Sequence, residues 1–364
     1  MYSVFGHFQY RTFDNIGTLD FNEEQLTEIG DSIIFEFYSS NLKIEEQPIK
    51  PIKETELFID LPDEIKQFYK VIKFIGSGTN GIVYEIEHKF FKERKALKQY
   101  RQLPTIEDLE YKIVSIIIEC STIIWNSKKK KLQTIPQPSH VLRIEKYDYR
   151  YIEDHYKVEM ISPLLQMSLL GFIPILKSDS NQRDALLGQI VVQNLKGLKS
   201  IHDIELSHND IKEANILVSY YKPDVYVCLS DFELVDDSAS GSISSLFGTK
   251  LYLPPETLKK NHKSTKLDIW SLGVTFFNIM CQIWDIDPLA TFTDATDVCV
   301  TNGFICLGYI PSHELLNQYL NNTFRGYSNH FMTTIIKKLL VFDHLARPTS
   351  TAMLEFISKR YGMK

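Results

Sequence analysis

Gly76-Ser77-Gly78-Thr79-Asn80-Gly81 spaces three glycines as G-x-G-x-x-G. The chemistry of that pattern is the approach of backbone N–H groups to phosphate oxygens with no Cβ in the way. Plain turns also produce it, so its surroundings decide. In the dinucleotide-binding design the third glycine opens a helix whose N-terminus receives a pyrophosphate. Here Ile82-Val83-Tyr84-Glu85-Ile86-Glu87 alternates as a strand does, which puts the glycines at a hairpin tip. Lys98 follows on the strand-like run Lys95-Ala96-Leu97-Lys98-Gln99-Tyr100, where its ammonium would reach the same phosphates. A flexible four-carbon stem positions a charge poorly, so an acidic partner is needed. Glu119, beside the apolar stripe of the next segment, is the choice, with Glu107 and Glu110 as rivals.

Further along, Ser207-His208-Asn209-Asp210-Ile211-Lys212-Glu213-Ala214-Asn215 runs into Ile216-Leu217-Val218. After a turn at Pro223-Asp224 comes Ser230-Asp231-Phe232-Glu233. Polar loop residues capping local turns do not account for Asp210, Lys212, Asn215 and Asp231 occurring in this order. H-x-D-x-K-x-x-N with D-F-x downstream, after a glycine-rich hairpin and a strand lysine, resembles the eukaryotic protein kinase family of serine/threonine type. The resemblance spans about residues 66 to 362.

It implies an α+β, bilobal protein-kinase-like fold, with a β-rich N-lobe carrying one long helix and an α-helical C-lobe. It implies ATP and Mg2+ as the groups bound, and a protein as substrate. Asp210 would accept the substrate hydroxyl proton, Lys212 would neutralise the transferring γ-phosphoryl group, and Asn215 and Asp231 would hold magnesium. Physical chemistry agrees with those roles, since a loose and highly charged transition state is served by positioning and charge neutralisation. Amide and carboxylate oxygens suit a hard cation.

Gly248-Thr249-Lys250-Leu251-Tyr252-Leu253-Pro254-Pro255-Glu256 is similar to the end of a kinase activation segment, the platform for a peptide. Asp268-Ile269-Trp270-Ser271-Leu272-Gly273 resembles the buried helix that anchors the catalytic loop through Asp268. Leu345-Ala346-Arg347-Pro348-Thr349 resembles the segment whose arginine pairs with the platform glutamate, here Glu256. Lys212 with Thr249 favours serine or threonine acceptors. For the adenine pocket, Val158 is set at the rear wall and Glu159 to Ile161 on the connecting strand, whose backbone would bond the adenine edge. Ile75, Val83, Ala96 and Leu217 would supply apolar faces to the ring.

Two positions depart from the family pattern. Asn209 stands where many regulated members have arginine, and an amide cannot make a bidentate charge pair with a phosphate. Activity is therefore expected not to require a phosphorylated activation segment. Glu233 replaces the glycine that usually follows Asp231-Phe232, and left-handed backbone at a non-glycine residue costs about 1–2 kcal/mol. A pseudokinase scaffold is the rival function, and a small-molecule phosphotransferase a more distant one.

These residues need elements to hold them. Tyr69 to Ile75, Ile82 to Glu87 and Lys95 to Tyr100 read as three antiparallel strands. Apolar residues at 109, 113, 116, 117, 120, 123 and 124 follow helical periodicity after Thr105 and Asp108, spaced as a capping box. Past residue 165 helices dominate, as at Ala185 to Ile201 and Asp268 to Gln282, broken by strands at Ile216 to Val218 and Val225 to Leu229.

Across all 364 residues, 40 Lys and Arg against 46 Asp and Glu give a net charge of −6, with no field to gather nucleic acid or an anionic membrane. Five cysteines without C-x-x-C spacing argue against a zinc site or a disulfide framework. With neither a leader pattern nor a membrane-length apolar run, a cytoplasmic, soluble protein is expected. Residues 1–65 hold strand-like runs at Phe8 to Phe13 and Ile33 to Tyr38, and read as an N-terminal extension that packs on the 66–362 domain or docks a partner.

Overall fold

The computed structural model describes residues 61–78, 81–100, 123–126, 131–134, 140–152, 154–234, 236–237, 249–260, 264–292 and 299–363. They fall into two compact units divided at Arg143 and again at Leu164. The expectations for residues 1–60, the part of the helix expected after Pro104 that runs to residue 122, and Thr79, Asn80 and Glu119 lie outside the described residues.

In the first unit α1 (Asp63–Phe68) leads into β1 (Tyr69–Gly78), β2 (Gly81–His88) and β3 (Arg94–Tyr100). The strands β6 (Lys146–Ile152) and β7 (His155–Pro163) complete an antiparallel sheet ordered β1-β2-β3-β7-β6. The alternating sequences dictate its faces. Tyr84, Ile86, Leu97 and Ile161 share one face and close with Leu61 and Ile65 into a small core. Gly78 pairs with Gly81 at the hairpin tip. A Cβ on Gly81 would sit 2.4 Å from the Gln99 carbonyl oxygen, so only glycine lets β2 approach β3 there.

The second unit carries the larger core and is mainly helical: α2 (Leu169–Ser178), α3 (Arg183–His202), α4 (Pro255–Lys260), α5 (Lys266–Ile283), α6 (His313–Thr323), α7 (Phe331–Leu339) and α8 (Ser350–Tyr361). Nearly every residue of α5 is buried, Trp270 completely, because its sequence is apolar on all sides rather than along one stripe. Ser312 and Thr349 start α6 and α8 by accepting from the Leu315 and Ala352 N–H groups. Small antiparallel pairings frame the polar loop: β10 (Ile216–Tyr221) between β11 (Asp224–Leu229) and β8 (Met167–Ser168), and β9 (Leu206–Ser207) with β12 (Asp236–Asp237).

A β-sheet unit followed by a helical unit gives the mixed α+β class that the sequence predicts, and the strands and helices named from periodicity lie within a few residues of those observed. One expectation changes. The last apolar positions of the 109–124 stripe, Ile123 and Ile124, lie in β4 (Ile123–Asn126), which pairs with β5 (Lys131–Thr134). The β-branched and aromatic run Ile123-Ile124-Trp125 suits a strand better than a helix.

Candidate active site

The polar loop of the second unit is built on one buried carboxylate. Asp268, fully buried in the first turn of α5, accepts the N–H of His208 at 2.8 Å on Oδ2 and that of Asn209 at 2.8 Å on Oδ1. His202 Nε2 lies 2.9 Å from the same Oδ2. Two backbone donors on one carboxylate pin the loop where it leaves β9. His208 Nε2 lies 3.0 Å from the Ser230 carbonyl oxygen, within hydrogen-bond range, and the ring packs on Phe232 with centroids 4.6 Å apart. Asn209 takes left-handed backbone, φ 65°, which asparagine tolerates better than most residues. Its amide donates to the Leu234 carbonyl at 2.7 Å and the Ser207 carbonyl at 3.3 Å.

That scaffold presents a closed ring of three side chains, Asp210, Lys212 and Thr249, with Asn215 bonded to it through Asp210. Asp210 Oδ2 accepts from Asn215 Nδ2 at 2.8 Å and pairs with Lys212 Nζ at 2.8 Å. Asp210 Oδ1 accepts the Thr249 hydroxyl at 2.9 Å, and that hydroxyl accepts from Lys212 Nζ at 3.0 Å. Asn215 Nδ2 also donates to the Asp210 carbonyl at 2.9 Å, which directs its Oδ1 away from that carboxylate. Ser230 donates to the Asn215 carbonyl through both N–H and hydroxyl, at 2.9 Å each, so Asp231 follows directly from the ring. Asp231 itself has φ 67°. Phe232–Leu234 then form a 3-10 turn, so Glu233 has right-handed helical backbone and does not pay the left-handed cost anticipated for it.

In the first unit, strand register sorts the candidates. Val83 pairs with Lys98, Lys98 with Met160, and Ala96 with Ser162, so these residues share a sheet face, and Val158 lies on it by alternation. Lys98 Nζ lies 4.6 Å from the Tyr100 ring centroid. Ile75 is 45% exposed, Ser77 is exposed, and a Cβ on Gly76 would meet nothing within 4 Å, so this stretch of β1 has open space above it. Leu217 lies in the second unit, on β10 opposite Ser168 and Cys228.

Glu159 and Ile161 are placed differently from the expectation. Each is mid-strand with partners on both sides, Gln99 and Asp148 for Glu159, Leu97 and Lys146 for Ile161, so their backbone groups serve the sheet rather than an adenine edge. The Glu159 side chain, fully buried on the face opposite Lys98, pairs with Arg150 Nη2 at 2.7 Å and accepts from Gln99 at 3.2 Å. Burial nonetheless pushes its carboxyl above the ordinary range.

Sequence reasoning passed over Glu213. It is fully buried, accepts the Tyr252 hydroxyl, contacts Asn278, and burial pushes its carboxyl up to about 7. The only sequence signal was a carboxylate among residues that all go inward. The predicted partnership of Arg347 with Glu256 is present as a bidentate pair, Nη1 to Oε1 at 2.6 Å and Nη2 to Oε2 at 3.0 Å.

The model of the protein kinase domain matches residues 69–357, which takes in the sheet, the ring and the Arg347 pair. The chain belongs to the protein kinase family. Its relatives include the serine/threonine-protein kinase pakG of Dictyostelium discoideum, 30% identical over 58% of this chain and 16% of the relative. Another is the serine/threonine-protein kinase zyg-8 of Caenorhabditis elegans, 26% identical over 60% of this chain and 25% of the relative. A third is mitogen-activated protein kinase kinase 2 of Arabidopsis thaliana, 26% identical over 64% and 57%. The kinase chain thus spans from about a sixth to rather more than half of the length of these relatives. Among its described residues no helix is long and apolar enough to cross a membrane.

Proposed function

We propose that this protein is an ATP- and magnesium-dependent serine/threonine protein kinase, transferring the γ-phosphate of ATP to protein hydroxyls. The observation that carries the reading is the ring of Asp210, Lys212 and Thr249 with Asn215 bonded to Asp210. A carboxylate has about four acceptor positions. Asp210 Oδ1 uses one on Thr249 and keeps capacity for an incoming alcohol, which it would orient and whose proton it would take. Lys212, held between Asp210 and Thr249, keeps a fixed cation beside that alcohol to meet the charge of the transferring phosphoryl group.

Asn215 Oδ1 and the Asp231 carboxylate are hard oxygen donors, the kind magnesium takes. No cluster of three or more His, Cys, Asp or Glu stands ready for a metal among the described residues, which fits an ion completed by phosphate oxygens and water. Bound there, magnesium supplies charge neutralisation of the phosphates. In the first unit Gly76, Ser77 and Gly78, with Thr79, Asn80 and Gly81, would cover phosphates, and Lys98 would pair with them, Glu119 serving as its partner. Val83, Ala96 and Val158, with Ile75, would line the adenine site on the first unit. The adenine-bonding backbone is assigned to Leu164 and Leu165, which lie beyond the last pairs of β7 with β3, at Pro163, and with β6, at Ile161. The kinase domain is taken as 66–362, with 1–65 as an extension suited to docking a partner.

The test is transfer from γ-labelled ATP with magnesium to panels of serine, threonine and tyrosine peptides. Labelling of serine and threonine peptides is expected. ATP binding without labelling would indicate a scaffold instead, and labelling confined to tyrosine would overturn the acceptor class.

A further inference from the structure

The segment after α5 carries a hairpin, β13 (Val300–Thr301) and β14 (Phe304–Ile305), turned by Asn302 and Gly303 at φ 52° and 75°. Two successive left-handed residues make the tight turn whose twist matches paired strands. The register Thr301↔Phe304 and Val300↔Ile305 therefore sets Cys299 directly opposite Cys306, and the Cys306 N–H donates to the Cys299 carbonyl at 2.8 Å. Hydrogen-bonded opposed residues have Cα atoms about 5.5 Å apart, inside the span that a disulfide bridges. Both cysteines are free thiols, and their sulfurs are neighbours.

The two thiols differ in the way a reactive pair needs. Cys306 is fully buried, and burial, with the Cys299 contact, pushes its thiol up to about 11. Cys299 is half-buried, and its neighbouring sulfur raises the pKa of the Lys250 ammonium. Cys299 is therefore the sulfur of the pair that an oxidant in solution reaches first. Lys250 lies over the Tyr309 ring, 5.4 Å from its centroid, and adjoins Thr249 of the polar ring. The hairpin is also pressed to the platform through the next turn: a Cβ on Gly308 would lie 2.1 Å from the Leu253 carbonyl oxygen, so this contact has no slack.

We propose that Cys299 and Cys306 form a peroxide-oxidisable dithiol, closing to a reversible intrachain disulfide that withdraws the thiol partner of Lys250. The Cys299 thiolate attacks one oxygen of hydrogen peroxide. The O–O bond breaks, hydroxide leaves and takes up the proton Cys299 released, and Cys299 is left as a sulfenic acid. The Cys306 sulfur then attacks the Cys299 sulfur. The S–S bond forms as the S–O bond breaks, and the hydroxyl leaves as water with the Cys306 proton. Two thiols have lost two electrons and two protons, and one peroxide has become two waters. A small dithiol such as dithiothreitol reverses the bond by exchange. An effect on the catalytic ring would rest on the function proposed above, whereas the pairing itself does not.

The full chain, reduced and freed of reductant, is treated with hydrogen peroxide, alkylated and mapped by mass spectrometry, with no need for turnover. The expected result is a peptide lighter by two hydrogens, with Cys299 and Cys306 both protected from alkylation and both restored by dithiothreitol. Lys250 should then be acetylated several-fold faster by an N-hydroxysuccinimide ester in the oxidised protein. In Cys306→Ser the link should vanish and Cys299 should be trapped by dimedone as a sulfenic acid. Alkylation of both thiols after peroxide, over-oxidation of Cys299 while Cys306 still alkylates, or a link to Cys120, Cys228 or Cys281 would each overturn the proposal.

Discussion

Replacing Glu256 by glutamine keeps the size of the side chain and removes the carboxylate that, among the described residues, pairs with the unexposed Arg347 guanidinium. In the parent, Arg347 is held by Glu256 at 2.6 and 3.0 Å and by the Val341 and Lys266 carbonyls at 2.9 Å each. The amide can accept one of the two charge-assisted bonds but sets an N–H against the other guanidinium donor. It also leaves Arg347 beside Lys266, whose pKa is already lowered by burial and by Arg347 itself. Breaking a buried pair from one side costs about 3–5 kcal/mol. The two carbonyl bonds persist, so the lower end, about 3 kcal/mol, is expected. For a unit of about 200 residues that is a Tm lower by about 6–12 °C. Urea and thermal unfolding of Glu256→Gln measure it. The double variant Glu256→Leu with Arg347→Met, which buries no charge, should recover at least half of the loss. A single variant within 1 kcal/mol of the parent, or a double variant no better than the single, would refute the reasoning.

Glu213 holds its proton more tightly folded than unfolded, so its stabilising contribution is whole below about pH 4.5 and lost as pH rises through about 7. The difference from 4.5 corresponds to about 3 kcal/mol. Unfolding free energies of Glu213→Gln should lack that part of the fall between pH 5 and 8, and parallel curves would contradict the burial argument. Thr249→Val removes a hydroxyl bonded to both Asp210 and Lys212. A bond to a charged group is worth about 1.5–3 kcal/mol, so kcat for peptide phosphorylation should fall about tenfold to a hundredfold, and an unchanged kcat would count against the ring. Asn209 spends its amide on the Leu234 and Ser207 carbonyls. Phosphatase treatment should therefore leave peptide kinase activity intact, and abolition of activity would show a phosphate-dependent segment.

What the sequence disclosed depended on whether local pattern and tertiary environment agreed. The runs around Val83 and Lys98 alternate as strands do, and the stretches that form α3 and α5 are long and unbroken by proline, so both were legible without the rest of the molecule. The order of Asp210, Lys212, Asn215 and Asp231 carried the family, and Arg347 found Glu256 across the fold as expected. The connecting segment did not read correctly because Tyr156 to Ile161 fit it in more than one register, one of which gives an adenine-bonding backbone to Glu159. It is instead a buried acid tied to Arg150, and that contact is made by distant residues. Glu213 was missed for the same reason, since an isolated carboxylate is normally solvated and only the Tyr252 and Asn278 neighbours show otherwise. Cys299 and Cys306 have no metal-like spacing, and their opposition is visible only once Asn302 and Gly303 turn the chain.

The most direct measurement is the rate of phosphoryl transfer by Asp210→Asn beside the parent, with ATP affinity determined on the same preparations. The asparagine keeps its shape and can still bond Thr249, but it cannot take a proton. The account predicts nucleotide affinity within about twofold of the parent and peptide phosphorylation lower by a hundredfold or more, the range of general base catalysis. Transfer within tenfold of the parent would contradict it.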